Sequence, residues 1–184
     1  MISAPTSSAR PLVAPALVSP AARAGLSEKA SFALLASLAV SYLAGSSAPT
    51  PLYGIYQARW GFSPIMTTVA FGIYALAVLG SLLTVGRLSD HLGRRPVLLA
   101  ATLVQAFTMV LFANAGGLST LIAARVIQGL STGAALGAIG AGLVDLNRAK
   151  GTLANSVAPM LGTATGGVLS GLLVQYLPLP DELV

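Results

Sequence analysis

Five long stretches of this sequence contain no Asp, Glu, Lys or Arg, and they constrain the fold more than any other feature. The stretches are residues 32–58, 60–86, 96–124, 126–144 and 151–180. A helix needs about 20 mostly apolar residues to cross the roughly 30 Å hydrocarbon layer of a bilayer. Strands of a membrane barrel would alternate in polarity over only about ten residues. The pattern therefore predicts five membrane-spanning helices, at about 32–53, 65–86, 97–115, 118–143 and 153–177.

The composition is that of a chain whose main solvent is lipid. Of the 184 residues, 55% are hydrophobic and 8% are charged, and the mean hydropathy is +0.82. An ordinary soluble domain carries about a quarter charged residues. A soluble chain this short also has too much surface for its volume to bury so many apolar side chains. We therefore predict an all-α integral membrane protein embedded in a lipid bilayer.

The basic residues are concentrated on one side of the predicted spans. Eight of the ten Lys and Arg residues lie in residues 1–30, 87–96 and 145–151. The positive-inside rule places these segments in the cytoplasm, so we expect a multi-pass protein of the cell (inner or plasma) membrane with a cytoplasmic N-terminus. The division of basic residues among three segments argues against binding of nucleic acid. Residues 1–30 contain four prolines and are predicted to be a flexible tail, with residues 31–184 as the membrane domain.

The segment Gly86–Pro96, with the sequence GRLSDHLGRRP, is predicted to be a tight, charged turn between the second and third spans. A glycine at position 86 allows close backbone approach, and Gly93 supplies the freedom to reverse direction. The basic pair that follows Gly93 would anchor the turn to the inner leaflet. Asp90 is placed to pair with a neighbouring arginine or to face a helix N-terminus. From these residues alone, an ordinary basic turn with one incidental acid is an equally good interpretation.

This segment resembles the signature loop of the major facilitator superfamily. The matching residues are Gly86, Leu88, Ser89, Asp90, Gly93, Arg94 and Arg95. In that family the loop joins helices two and three on the cytoplasmic side, and its Asp engages the second half of the protein to hold the outward-open state. The resemblance implies a conformational switch formed by Gly86, Asp90, Gly93, Arg94 and Arg95. It also implies a secondary transporter without a cofactor, of whose N-terminal six-helix bundle five helices are present.

The fourth span contains a basic residue, Arg125, within the segment RVIQG. A charge inside a span costs about 3 kcal/mol and is functional by default. Arg125, Gln128 and Thr132 form one polar stripe at helical spacing. Snorkelling of Arg125 to the outer interface is the alternative. The segment resembles a second motif of the same family, found in helix four of proton-coupled antiporters, and the resemblance implies that the stripe lines the central cavity.

Two rows of small residues are predicted to be helix-packing surfaces. In span four the row runs opposite the polar stripe, and in span five a similar row follows the same four-residue spacing. The rows are Gly129, Gly133, Gly137 and Ala141, and then Ala154, Ala158, Gly162, Gly166 and Ser170. Small residues at this spacing let helices approach backbone to backbone in lipid. GTATGG in span five resembles a degraded antiporter motif, with Thr163 where the family has proline.

The outer end of span one carries Pro49 and Pro51, which must bend or break the helix. Freed carbonyls at membrane depth are tolerated only beside protein or a water-filled cavity. The candidates for a substrate path are therefore Tyr42, Ser46, Ser47, Thr50 and Tyr53. An equally good interpretation is a helix that ends at the interface in an aromatic belt.

The predicted function is transport of a small solute, with proton-linked efflux by an antiporter as the finer expectation. Because the family has twelve helices, we expect a second transporter half, supplied by missing residues or by another chain. The alternative is a non-transporting membrane remnant or a subunit that needs a partner chain. No acidic residue lies inside the five predicted spans, so no proton carrier is named here. An enzyme is not expected, because the chain has one His, no Cys and no catalytic or metal-ligating cluster.

Overall fold

A computed structural model describes residues 26–176, with the side chains of residues 86–91 left aside. All regular structure in these residues is helical. The helices are α1 (Glu28–Ser47), a 3₁₀ turn (Thr50–Leu52), α2 (Tyr53–Trp60), α3 (Pro64–Leu92), α4 (Arg94–Ala113), α5 (Leu118–Leu146) and α6 (Arg148–Tyr176).

Five segments of the described chain are long and apolar enough to cross a membrane. The first combines α1, the 3₁₀ turn and α2 over Glu28–Trp60, and the others correspond to α3, α4, α5 and α6. The predicted number of spans and their helical character are therefore confirmed.

The first helix begins slightly earlier than the predicted boundary of the tail. Ser27 is the N-cap of α1, and its hydroxyl oxygen accepts a hydrogen bond from the Ala30 N–H at 3.3 Å. Glu28 lies in the first turn, where its negative charge interacts favourably with the positive end of the helix dipole. Residues 28–30 are therefore helical, whereas residues 1–25 of the predicted tail lie outside the described residues.

The junction between α3 and α4 differs from the predicted turn. Helix α3 continues to Leu92 and α4 begins at Arg94, so Gly93 alone separates them. Gly93 adopts a φ of +87°, which glycine reaches without steric cost. No proline or glycine lies between residues 87 and 92 to end the helix, and a helix need not stop where the hydrocarbon layer stops. Pro96 falls in the first turn of α4, where its missing N–H has no cost.

Helix α5 is the centre of the described bundle and packs against α1, α3, α4 and α6. Gly129 and Gly133 lie against α3, where a Cβ at Gly133 would be 2.5 Å from the Val78 carbonyl oxygen. Gly162 and Gly166 lie against α1, where a Cβ at Gly162 would be 2.6 Å from Leu43 Cβ. Gly137 lines a small pocket between α1, α5 and α6.

The glycine row of α5 does not lie opposite the polar stripe, as the sequence analysis predicted. Residues four apart on a helix differ by only about 40° around its axis. Gly129 is therefore beside Arg125, and both residues face α3: Gly129 approaches the Tyr74 carbonyl and Arg125 lies near the Tyr74 ring. The stripe and the row occupy adjacent faces of one helix.

Candidate functional site

The break in the first span leaves backbone carbonyls without their usual helical partners. Helix α1 ends at Ser47, two residues before Pro49. Proline has no N–H, so Pro49 cannot donate to the Gly45 carbonyl four residues earlier. An unpaired carbonyl inside a bilayer costs several kcal/mol, so such groups require other donors.

Side chains from α5 and α6 supply those donors. Gln128 Nε2 donates to the Gly45 carbonyl oxygen at 3.1 Å, and Arg125 Nη1 donates to the Ser46 carbonyl oxygen at 2.9 Å. The Ser170 hydroxyl donates to the carbonyl oxygen of Ala48. We call Arg125, Gln128 and Ser170 the carbonyl clamp, because they hold the broken end of α1 against α5 and α6.

Arg125 is fully buried and makes two further hydrogen bonds. Its Nε donates to the Tyr53 hydroxyl oxygen at 2.5 Å, and Nη1 donates to Gln128 Oε1 at 2.8 Å. Among the described side chains no carboxylate pairs with it, and Nη2 has no hydrogen-bond partner. The burial of the guanidinium contradicts the alternative that Arg125 snorkels to the outer interface.

Four aromatic rings surround the Arg125 guanidinium. The distances from its Cζ to the ring centroids are between 5.3 and 5.5 Å, which is within the range of cation–π attraction. The rings belong to Tyr53, Phe71, Tyr74 and Phe112. The positive charge is thus stabilised by ring faces and neutral oxygens of the bundle.

The polar stripe is only partly joined in this arrangement. Arg125 and Gln128 contact each other and α1, whereas Thr132 is fully buried and its hydroxyl has no partner in the described chain. All three side chains are enclosed between helices. Because the three side chains are already fully buried in the described chain, their exposure to a central cavity requires the surrounding helices to move apart, and it stays a prediction.

The candidates in span one also separate into two groups. The Ser46 hydroxyl donates to the Tyr42 carbonyl oxygen at 2.8 Å and accepts from the Tyr74 hydroxyl at 2.8 Å. The Tyr42 hydroxyl lies 3.0 Å from Thr102 Oγ1 on α4. Thr50 is exposed and does not join this network. Tyr42 and Ser46 therefore lie beside the carbonyl clamp, and Thr50 does not.

Of the four aromatic residues around Arg125, sequence reasoning named only Tyr53, as a candidate for the substrate path. Phe71 and Tyr74 are three residues apart on α3, so both lie on the face that meets α5. This spacing is a weak signal, because aromatic residues in apolar spans usually serve packing alone. Phe112 comes from α4, and nothing in the sequence relates it to Arg125.

Tyr53→Phe tests the hydrogen bond between Arg125 and α2. The substitution keeps the ring but leaves Arg125 Nε without its acceptor, and a hydrogen bond to a charged group contributes about 2 kcal/mol. Tyr74→Phe is the matched control, because the Tyr74 ring lies at a similar distance from Arg125 Cζ, 5.5 Å against 5.3 Å for Tyr53. The Tyr74 hydroxyl donates to the neutral Ser46 hydroxyl, a bond worth about 0.6 kcal/mol in a membrane. We expect the larger loss of unfolding free energy for Tyr53→Phe in denaturant titrations. Equal losses would contradict the charged bond.

At the opposite end of the spans, Arg94 forms an ion pair with Asp145 near the end of α5. The two side chains are 34% and 63% exposed. Asp145 was not among the predicted site residues, because its proximity to Arg94 arises only when α4 packs on α5. Arg95 is exposed, Gly86 lies within α3, and the side chain of Asp90 lies outside those described.

Because this ion pair is partly exposed, we expect Asp145→Asn to lower the free energy of unfolding by less than about 1 kcal/mol. Arg94→Gln should have a similar effect, and the double variant should lose little more than either single variant. Denaturant unfolding of the four proteins measures this coupling. Additive losses would show that the two side chains act independently.

The sequence of this chain matches one family model and several known proteins. The sequence model of the Major Facilitator Superfamily matches residues 33–179. The chain is 30% identical over 138 residues to the MFS-type transporter mpsC of Macrophomina phaseolina, which covers 72% of this chain and 27% of that protein. No solved structure gives a significant match.

Two further relatives are named as export proteins. The cephamycin export protein CmcT of Amycolatopsis lactamdurans is 32% identical over 66% of this chain and 26% of its own length. The tetracenomycin C resistance and export protein of Streptomyces glaucescens is 32% identical over 56% of this chain and 20% of its own length. The chain thus spans between a fifth and about a quarter of the length of these three relatives.

Proposed function

The chain belongs to the major facilitator superfamily, and we propose that it is the N-terminal part of a secondary transporter that exports a small solute in exchange for protons. The observation that carries the proposal is the carbonyl clamp. Arg125 and Gln128 hold carbonyls that the broken first span leaves free. Broken helices with buried polar groups are the usual setting of substrate and coupling sites in secondary transporters.

The buried charge of Arg125 supports a role beyond packing. An ionisable side chain in a span is expensive and marks a transport pathway by default. Its unpartnered Nη2 can donate a hydrogen bond to a further acceptor when the protein changes conformation. We propose that Arg125, Gln128 and Thr132 line the central cavity of the completed transporter, with Tyr42 and Ser46 beside them.

Export and the proton link have separate support. The names of the two bacterial relatives favour outward transport of a small organic solute. The RVIQG segment, which resembles the antiporter motif, favours coupling to protons. We propose that the acidic proton carrier lies in the second half, because the five uncharged stretches predicted to cross the membrane hold no acidic residue. That half would be supplied by further residues or by another chain.

The signature segment is proposed to be the conformational switch of this transporter. Its members are Gly86, Asp90, Gly93, Arg94 and Arg95. The ion pair of Arg94 with Asp145 links the start of α4 to the end of α5, so a movement of one helix is transmitted to the other. We place this switch, with the N-terminus, on the cytoplasmic side of the cell membrane.

Accumulation of tetracenomycin C in cells tests the proposal. The natural coding sequence is expressed in a host without other exporters of this compound, and the protein is verified in the membrane. We expect lower accumulation than in cells that do not express the protein. A protonophore should raise the accumulation to the level in those control cells. Unchanged accumulation of both tetracenomycin C and a cephamycin would contradict export of such solutes. Export that resists the protonophore would contradict the proton link alone.

A further inference from the structure

We propose that the pocket between α1, α5 and α6 is a solute subsite, in which the side-chain oxygen of Asn155 accepts a hydrogen bond from an uncharged solute with an O–H or N–H group. The inference rests on the proposed function, because it names the class of solute that the transporter exports. It places a polar contact on α6, away from the carbonyl clamp.

The pocket has the size and the lining of a small-molecule site. Its volume is about 330 Å³. Ligand pockets begin at about 300 Å³ and are lined mostly by apolar side chains, with a few polar groups that orient the ligand. Asn155 has the one polar side chain among the lining residues that the structure describes. Recognition of a polar solute in this pocket therefore depends on Asn155.

The hydrogen bonding of Asn155 determines which of its groups is free. Its Nδ2 donates to the Gly140 carbonyl oxygen on α5 at 3.1 Å. Because a carbonyl oxygen can only accept, this bond fixes the orientation of the amide and leaves Oδ1 as the free group. Oδ1 accepts no hydrogen bond from any described group and is not sealed inside the protein. A free acceptor in a membrane span is costly, and a solute donor would satisfy it.

The same turn of α6 lacks one backbone donor. Pro159 lies inside the helix and has no N–H, so it cannot donate to the Asn155 carbonyl oxygen four residues earlier. Asn155 and Pro159 both line the pocket, and none of its described lining residues is ionisable. A charged solute would lose its water there without gaining a partner of opposite charge. These groups therefore match an uncharged solute that donates a hydrogen bond.

Thr132 extends the polar character of the pocket toward the carbonyl clamp. It is fully buried, and its hydroxyl has no partner in the described chain. Leu136 and Ile139 follow it by four and seven residues, so they lie about 40° to one side of it and 20° to the other around the axis of α5. Both of these residues line the pocket. A solute that extends along this face as the helices move apart would meet Thr132 next and then Gln128.

Protection of an introduced thiol from N-ethylmaleimide tests the subsite. The chain contains no cysteine, so Leu136→Cys places a single thiol in the wall of the pocket. The natural polypeptide is used, after any cysteine outside these 184 residues is replaced by serine. Leu130→Cys is the matched control, because Leu130 is a 47% exposed leucine of α5 that does not line the pocket.

We expect tetracenomycin C to slow the labelling of Leu136→Cys and not that of Leu130→Cys. Asn155→Leu keeps a similar side-chain shape but removes the acceptor, so it should raise the half-protecting concentration about fivefold, the effect of one hydrogen bond. Ser156→Ala removes an exposed hydroxyl from the next residue of α6 and should leave that concentration unchanged. For O-methylated tetracenomycin C, whose donors are capped, Asn155→Leu should have no effect, which separates the lost hydrogen bond from altered packing.

Uptake of tetracenomycin C by inside-out vesicles of the same preparations separates this inference from the proposed function. Uptake without protection at Leu136→Cys would overturn the subsite and leave export intact. A half-protecting concentration that Asn155→Leu leaves unchanged, or a thiol that never reacts, would also overturn it, because a solute subsite must be reached from water. Protection without uptake would contradict export and support the subsite.

Discussion

Arg125→Ala is expected to abolish transport and to destabilise the folded bundle. The substitution removes three hydrogen bonds from a charged group, to Tyr53, Ser46 and Gln128. Such bonds contribute about 2 kcal/mol each, whereas removal of a charge from a span returns about 3 kcal/mol. The net loss of unfolding free energy is therefore about 3 kcal/mol.

Arg125→Lys separates charge from geometry at the same position. A lysine keeps the positive charge, but its compact ammonium cannot bind the Tyr53 hydroxyl and the Ser46 carbonyl with the planar fork of arginine. We expect this variant to lose transport as well, with a smaller loss of stability. Denaturant unfolding and solute flux measured on the same preparations distinguish the two effects. If Arg125→Ala kept wild-type flux and stability, the carbonyl clamp would have no role in either transport or folding.

Gly166→Ala is expected to separate the first and last described spans. A Cβ at this position would overlap the Ala44 carbonyl oxygen and the Ser47 hydroxyl of α1. Because the Ala44 oxygen is a backbone atom, the overlap can be relieved only by moving the helix. Such a movement would also strain the hydrogen bond that the Ser47 hydroxyl of α1 donates to the Thr163 carbonyl oxygen of α6 at 3.0 Å. We expect a loss of at least about 2 kcal/mol, typical of forced overpacking.

Gly167→Ala is the matched control for that prediction. The two glycines are adjacent in α6, and a Cβ at Gly167 would meet no atom within 4 Å. Replacement of a helical glycine by alanine then stabilises the helix by about 1 kcal/mol. The two substitutions should therefore shift the unfolding midpoint in opposite directions. Similar shifts would show that contact at Gly166 does not hold α1 against α6.

The spans could be predicted from sequence because each depends on a local property, an uncharged run of sufficient length. Their ends were less predictable. Helix α3 continues beyond residue 86 to Leu92, because the end of an apolar run marks the end of the hydrocarbon layer and does not by itself end a helix. The prolines at 49 and 51 indicated a break in span one, but the continuation through α2 to Trp60 was not predicted.

Only the part of the candidate site that lies on α5 could be predicted from the sequence. Spacing along α5 places Arg125 beside Gln128 without any tertiary information. Their partners on α1, and the aromatic rings from α3 and α4, depend on how the helices are rotated and shifted against one another. The ion pair of Arg94 with Asp145 was missed for the same reason, since its two members are 51 positions apart in the sequence.

Solute-driven proton movement in inside-out vesicles is a direct test of proton-linked export through Arg125. The natural polypeptide is present in the vesicle membrane, the lumen is acidified, and tetracenomycin C is added while a dye reports luminal pH. We expect the solute to raise luminal pH in the wild type and in Arg148→Gln, but not in Arg125→Ala. An unchanged luminal pH in the wild type, or an undiminished response in Arg125→Ala, would contradict a proton-linked exporter that works through Arg125.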